Sequence, residues 1–137
     1  MLGYVMVGTN NLEKAIIFYD EVLKVLNLER NYKDEVCAGY TEKNGDGTIE
    51  FYVTKPVNMK EATNGNGTQV SFITSSRDIV DKFHEIGLKA GGKSEGAGGE
   101  NQKVLEFTIL IFEILIIIKF VLSQTINVLQ FNSRKNQ

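Results

Sequence analysis

The spacing of hydrophobic residues near the start of the chain changes from that of a strand to that of a helix. Leu2 to Val7 is a short apolar run that ends at Gly8, which predicts a buried strand. Asn10, with Glu13 three positions later, has the spacing of a capping box and predicts the N-cap of a helix. We expect the helix to extend from about Leu12 to about Leu26, because its apolar residues form one stripe: Leu12, Ala15, Ile16, Tyr19, Val22, Leu23 and Leu26.

Two further strands are predicted after this helix, at Val36–Thr41 and Thr48–Thr54. The segment Asn44–Gly47 between them reads Asn-Gly-Asp-Gly, and these residue types tolerate the positive φ values that a hairpin turn requires. A similar segment, Asn64–Gly67, separates this half of the chain from the next.

The second half begins with the same order of elements. Thr68–Thr74 predicts a strand, and Ser75 with Asp78 repeats the spacing of the helix cap. The helix that follows is expected to stop at Gly87. A shift of 65 positions superposes the two halves, so that Tyr4 falls on Gln69, Val5 on Val70 and Phe18 on Phe83. The repeat suggests duplication of one module, with chance alignment of two similar units as the alternative.

Length, charge and cysteine content restrict the class of protein. The 137 residues fit one compact unit, or two half-size modules that share a core. A net charge of −2 gives no electrostatic basis for binding nucleic acid. The single cysteine, Cys37, excludes an internal disulfide and a cysteine metal cluster. Because Met1–Val5 has no basic region before an apolar stretch, we expect a cytoplasmic protein without a secretory signal.

The composition changes near residue 104. Residues 104–122 contain no Gly, Pro, Asn or Asp and are long and apolar enough to consider as a membrane helix. Glu106, Glu113 and Lys119 oppose that interpretation, because each charge is costly inside a membrane. The Ile, Val, Phe and Thr content favours strands. We therefore predict one or two strands here, no membrane partner, and a disordered tail over residues 132–137.

Three stretches of the sequence resemble the vicinal oxygen chelate superfamily, which includes glyoxalases, bleomycin-resistance proteins and extradiol dioxygenases. They are residues 3–20, with Asn-Leu-Glu-Lys-Ala and Phe-Tyr-Asp, residues 49–53, which read Ile-Glu-Phe-Tyr-Val, and residues 65–72, which begin Gly-Asn-Gly-Thr. The resemblance covers about residues 1–99. It implies an α+β fold in which two βαβββ modules form a curved mixed sheet around a pocket. The modules would be residues 1–63 and 64–131, the second aberrant from about residue 104.

The resemblance also implies where a metal and a ligand would bind. Metal-using members carry a ligand, usually His, on the first strand of each module and a Glu on the last strand. The corresponding positions here are Tyr4, Gln69 and Glu50. Because a tyrosine hydroxyl and an amide oxygen are weak ligands, the metal site looks degraded, a divalent metal is disfavoured, and no other cofactor is predicted. With Tyr52, these positions form the predicted substrate-binding set. Catalytic residues are not identified.

Each candidate also has a structural interpretation. Tyr4 fits a core aromatic, Glu50 an outward carboxylate of an alternating strand, and Gln69 a polar residue at a sheet edge. Outside this set, His84 fits a solvated helix face and Cys37 a small buried core residue. Three aromatic residues, Phe51, Tyr52 and Phe72, could line a pocket for a flat ligand or pack in the core.

The resemblance ends abruptly in the C-terminal part. The family would continue after residues 96–99 into a strand, an Arg-Asp-x-Asp-Gly-Asn turn and a last strand, which are absent. Read in a shifted frame with permitted codons, residues 107–121 can encode Tyr-Tyr-Ser-Tyr-Phe-Arg-Asp-Leu-Asp-Asn-Asn-Lys-Ile-Cys. We therefore hypothesise a reading-frame shift near residues 100–104. Even the restored strand would offer Cys where metal-using members place their second Glu.

Three functions follow as hypotheses. The first is a glyoxalase-like protein of unassigned substrate with a degraded metal site, whose metal-dependent alternatives are a lyase and a dioxygenase. The second is a protein that sequesters a small molecule, as bleomycin-resistance members do, usually as a homodimer with pockets between protomers. The third is a non-functional product of a frameshifted gene. Whether the chain is an enzyme is left open by the sequence.

Overall fold

The computed structural model describes residues 2–63, 70, 72–74, 77–96, 106–111, 114–116 and 123–124. In the first half the elements are β1 (Val5–Gly8), α1 (Leu12–Lys24), β2 (Leu28–Lys33), β3 (Cys37–Glu42) and β4 (Ile49–Thr54). In the second half they are β5 (Ile73–Thr74), α2 (Arg77–Lys89), β6 (Gly92–Gly96), β7 (Glu106–Ile111), β8 (Ile114–Ile116) and β9 (Ser123–Gln124). The predicted α+β class is confirmed.

The first half forms a mixed four-stranded sheet in the order β1-β4-β3-β2. The outer strand β1 runs parallel to β4, and the two remaining pairs are antiparallel. A parallel pair requires a long crossover, which α1 and the following hairpin provide. The sheet therefore has one helix-covered face and one face without a helix of this half.

Helix α1 covers the first face because its apolar residues recur on one side. Its buried residues are Leu12, Ala15, Ile16, Phe18, Tyr19, Val22 and Leu23. They pack against alternate residues of the strands, among them Ala38, Tyr40, Phe51 and Val53. Phe51 is thus a core residue, and Phe72 packs partly buried against it with ring centroids 5.5 Å apart.

The start of α1 differs from the sequence prediction. Asn11 is the N-cap, and its side chain accepts a hydrogen bond from the Lys14 amide at 3.0 Å. Asn10, the predicted cap, instead bonds the main chain of Ala62 in both directions: its Nδ2 donates to the carbonyl at 3.0 Å, and its Oδ1 accepts from the amide at 2.7 Å. The Asn10 side chain thereby attaches the segment after β4 to the start of the helix, a contact between residues far apart in sequence.

The second half repeats the helix of the first. The bounds of α2, Arg77–Lys89, are those of α1 shifted by 65 positions, and the equivalent residues Phe18 and Phe83 are both buried. The predicted stop at Gly87 is wrong, because α2 continues two residues further and Gly91, at φ 99°, follows it. The cap prediction at Ser75 lies outside the described residues.

The strands of the second half follow a related order. The pairs β6–β7 and β7–β8 are antiparallel, and β9 is parallel to β5, as β4 is to β1. In the first half, β4 forms both an antiparallel pair with β3 and a parallel pair with β1. In the second half, β8 forms the antiparallel pair with β7 and β9 forms the parallel pair with β5. The strands predicted within residues 104–122 are confirmed by β7 and β8. No helix among the described residues is long and apolar enough to cross a membrane. The predicted tail, residues 132–137, lies outside the described residues.

Two sequence predictions for the first half need correction. Strand β1 was expected to be buried, but Met6 at its centre is 45% exposed because the sheet face it occupies carries no helix. Strand β2 was not predicted. Its residues are mostly polar and exposed, so it lacks the apolar alternation by which a half-buried strand is detected.

Candidate functional site

Tyr4 and Tyr52 lie on the sheet face opposite α1, which we call the open face. On β4 the buried Phe51 and Val53 point to the helix, so Tyr52 lies on the open face by alternation. Tyr4 precedes β1, where Val5 pairs with Phe51, and extending the register by one residue places it beside Glu50.

Tyr4 and Tyr52 are in direct contact. Their ring centroids are 5.4 Å apart with an interplanar angle of 74°, an edge-to-face arrangement that aromatic pairs favour. Tyr4 remains 59% exposed, so the interpretation of Tyr4 as a core aromatic is wrong, and Tyr52 is half-buried. An exposed aromatic pair on a sheet offers flat apolar surface to a ligand.

Glu50 occupies an irregular position in the sheet. Tyr40 pairs with Phe51 and the next residue, Thr41, pairs with Ile49, so the register between β3 and β4 skips Glu50. Such a bulge leaves the extra residue without a cross-strand partner and changes the direction of its side chain. Glu50 is exposed. In the extended register Glu50 is the neighbour of Tyr4 on the adjacent strand, and its exposed carboxylate carries no desolvation cost.

A row of paired residues crosses the open face at the level of Tyr52. Met6 of β1, Tyr52 of β4, Gly39 of β3 and Tyr32 of β2 are successive cross-strand partners. The glycine is required here. A Cβ at Gly39 would approach Cε1 of Tyr52 and two carbons of Ile49 to 2.9 Å each. Gly39 thus lets the side chains of Tyr52 and Ile49 lie flat over β3.

Tyr32 extends this row to the edge of the sheet. It is 44% exposed, and its hydroxyl donates to Oδ2 of Asp34 at 2.7 Å. Oδ1 of the same carboxylate accepts from the amides of Val36 at 2.8 Å and Cys37 at 2.7 Å. These bonds, first of all the one from Tyr32, lower the pKa of Asp34 to about 2. The sequence analysis missed Tyr32 and Asp34, because both depend on the unpredicted β2.

Charged residues of the four strands are divided between the two faces. The basic residues of these strands are Arg30 and Lys33, and both reach acidic residues of α1: Arg30 bonds Asp20 at 3.1 Å, and Lys33 bonds Glu13 at 2.9 Å. Asp20 also accepts a hydrogen bond from the buried Tyr40 hydroxyl at 2.9 Å. The positive charges of the sheet are thereby held on the helix side, which leaves Glu29 on the open face by alternation.

The donor set does not fit a tightly held divalent ion. Tyr4 offers a phenol engaged in a ring contact, and Glu50 is the one carboxylate of the predicted set. Gln69, the remaining position, lies outside the described residues. Within the described part of the chain, no group of three or more His, Cys, Asp and Glu residues is placed to hold a metal ion.

Cys37 lies two residues before Gly39 on β3, and His84 lies on α2. Cys37 is half-buried and stands opposite Thr54, at the end of β3 next to the Asp34 turn. Burial, and then the Asp34 charge, raise the pKa of its thiol, which disfavours the nucleophilic thiolate. Cys37 was expected to be a small buried core residue, but it is only partly buried. His84 is half-buried on α2 and not fully solvated.

Several solved structures with the same fold are glyoxalases or glyoxalase/bleomycin-resistance proteins. A glyoxalase/bleomycin resistance protein from Albidiferax ferrireducens T118 is 27% identical, with a TM-score of 0.77 over 92% of this chain and 99% of its own. A glyoxalase/bleomycin resistance protein/dioxygenase family enzyme from Burkholderia phytofirmans PsJN is 16% identical, with a TM-score of 0.62 over 90% and 98%. Lactoylglutathione lyase from Agrobacterium tumefaciens is 11% identical, with a TM-score of 0.57 over 91% and 93%.

No protein-family model and no curated protein sequence matches the chain. The fold, the repeated helix and the neighbour from Albidiferax ferrireducens place the chain in the vicinal oxygen chelate superfamily, and the two less similar neighbours share its fold. Within it, the chain is glyoxalase/bleomycin-resistance-like, and the similarity does not indicate a substrate.

Proposed function

We propose that the protein binds a small organic molecule on the open face of its first sheet, with Tyr4, Glu50 and Tyr52 as contacts. The observation that carries the proposal is the edge-to-face pair of the exposed Tyr4 and Tyr52, next to Glu50, which has no register partner on β3. Binding sites for small molecules combine apolar and aromatic surface with a few polar groups that fix orientation, which this face provides. Gln69 is part of the proposed set, and the homodimer and the cytoplasmic location belong to the same proposal.

Ligand-observed NMR with a library of flat aromatic fragments tests this function. The hits should lose binding in Tyr52→Ala and retain it in Ile17→Ala. Ile17 is a matched control because it is an apolar residue, 66% exposed, on the opposite side of the sheet in α1. Hits that survive Tyr52→Ala, or a library without hits, would overturn the proposal.

We also propose that the site works without a tightly held metal. The donor set supports this, because neither a phenol nor an amide replaces the imidazole that strong sites use. After dialysis, the purified protein should retain clearly less than one divalent ion per chain. About one equivalent of Zn, Ni, Mn or Fe by elemental analysis would contradict the proposal, and would favour the lyase or dioxygenase alternative.

The frame hypothesis is a separate proposal about the second half. Strands β7 and β8 pair through Ile111 and Ile114, where the family places a polar turn. β-Branched residues resist the backbone conformations that Asp, Asn and Gly adopt in such turns. The frame-restored protein should be more soluble and melt at a higher temperature than this chain. Equal melting temperatures, or a stop codon in the alternate frame of the genomic DNA between codons 107 and 121, would exclude a frame shift.

A further inference from the structure

The charge distribution of the first sheet limits the chemistry of a ligand on its open face. Arg30 and Lys33 are bound to Asp20 and Glu13 of α1, so neither basic residue of these strands is available on the opposite face. Glu29 lies on that face by alternation with Arg30, and Glu50, the neighbour of Tyr4 in the extended register, is an exposed carboxylate. A ligand that lies on this face therefore meets negative charge from the strands, which favours a cation and disfavours an anion.

The tyrosines of the open face have the same preference. The face of an aromatic ring carries negative electrostatic potential and attracts a cation placed over it. Tyr4 and Tyr52 are in contact on one side of Gly39, and Tyr32 lies on the other side, in the same cross-strand row. A flat ring with a delocalised positive charge would make ring contacts with the tyrosines of this row and be attracted by the Glu50 carboxylate.

Asp34 determines how Tyr32 is presented. The Asp34 carboxylate is fixed by the Val36 and Cys37 amides, and it accepts the Tyr32 hydroxyl at 2.7 Å. A hydrogen bond to an ionised group is stronger than one between neutral groups. The bond holds the Tyr32 ring at the edge of the open face, and the hydrogen bond raises the pKa of the Tyr32 phenol, which keeps it a neutral donor. Asp34 is in this sense a positioning residue.

We propose that the ligand of the open face is a flat organic cation, and that Tyr32, held by Asp34, is its second aromatic contact on the far side of Gly39. The proposal rests on the proposed function, because it specifies the ligand class of the same site.

Three probes of nearly equal shape test the ligand class: N-methylacridinium is a cation, acridine is neutral at slightly alkaline pH, and acridine-9-carboxylate is an anion. Their dissociation constants are measured by fluorescence titration. The cation should bind about fivefold to tenfold more tightly than acridine, and the anion most weakly. Glu50→Gln should remove most of this preference while the binding of neutral acridine changes little.

Two variants test the role of Tyr32 and Asp34. Tyr32→Leu should weaken the cation about threefold to tenfold and leave the Asp34 turn intact. Asp34→Asn should weaken the cation less, because the Tyr32 ring is retained but less well held. Asp46→Asn is the matched control: it removes one charge from an exposed carboxylate that also caps a turn, at the Thr48 amide 2.8 Å away, without a tyrosine partner. It should leave the order of the probes unchanged.

The outcomes separate the ligand class from the proposed function. If the three probes bind equally and Tyr52→Ala abolishes their binding, the cation proposal is wrong but the proposed binding function stands. Binding that does not respond to Tyr52→Ala would overturn both. If Tyr32→Leu binds the cation as tightly as the unchanged protein, the second aromatic contact is wrong. If Asp46→Asn reduces the preference as much as Asp34→Asn, Asp34 acts through net charge alone and is not a positioning residue.

Discussion

Tyrosines on the two faces of the first sheet have different environments. Tyr40, on the helix side, is fully buried and donates its hydroxyl to Asp20, which also binds Arg30. Tyr52, twelve residues later on the open side, is half-buried against the exposed Tyr4. The helix-covered tyrosine has a satisfied hydroxyl inside a packed core, whereas the open-face tyrosines present ring surface to solvent. The comparison indicates that one face stabilises the fold and the other is available for binding.

The largest expected effect is a difference in stability loss between substitutions at two neighbouring residues of β4. Phe51→Ala should lower the free energy of unfolding by about 3–5 kcal/mol, because it creates a cavity under α1 among Tyr19, Tyr40 and Phe72. Tyr52→Ala should lower it by about 1–2 kcal/mol, since its side chain is only partly buried. Chemical denaturation of both variants measures the difference. Equal losses would mean that the open face is part of the core.

The prediction of the fold succeeded where the information is local. The apolar stripe of α1 depends on residues within one helix, and the helix was predicted to within two residues at its C-terminal end. The hairpin between β3 and β4 was also predicted, and Asn44, at φ 63°, has the positive φ expected for its turn. These features require no knowledge of the rest of the chain.

The prediction failed where distant residues decide. Asn10 and Asn11 are equally good caps by residue type, and Ala62, which binds Asn10, is 52 residues away. Strand β2 has polar residues on both faces. Those on the helix side, Arg30 and Lys33, bind acidic residues of α1, and these ion pairs cannot be recognised from the local sequence pattern. For the site, Tyr4 and Tyr52 are in contact across β1 and β4, whereas the Tyr32–Asp34 contact depends on the unpredicted β2.

A smaller effect is expected at the glycine of the open face. Gly39→Ala should destabilise the protein by about 1–3 kcal/mol, because the added Cβ would lie 2.9 Å from atoms of Ile49 and Tyr52 and displace them. Gly3→Ala is the control, since no atom lies within 4 Å of a Cβ at that position. The Tyr52 ring signals in an NMR spectrum should shift in Gly39→Ala only. A neutral Gly39→Ala would show that Tyr52 and Ile49 are loosely packed, and the open face would then lack a fixed shape.

The smallest expected effect is a loss of the stability contributed by Asp34 at acidic pH. The pKa of Asp34 is lowered from 3.8 to about 2, first by the Tyr32 hydroxyl and then by the Cys37 and Val36 amides. A lowered pKa in the folded state means that the carboxylate stabilises the fold above its ordinary pKa, and that this contribution is lost as the pH falls through the folded value. The turn should therefore be unchanged from neutral pH down to about 4, and loosen between about 4 and 2. The difference in unfolding midpoint between the unchanged protein and Asp34→Asn, followed by near-ultraviolet circular dichroism, should be constant above this window and shrink within it. Because Asp34 is exposed, that difference should be small at every pH. A difference that already shrinks between neutral pH and 5 would show that another group controls the position of Tyr32.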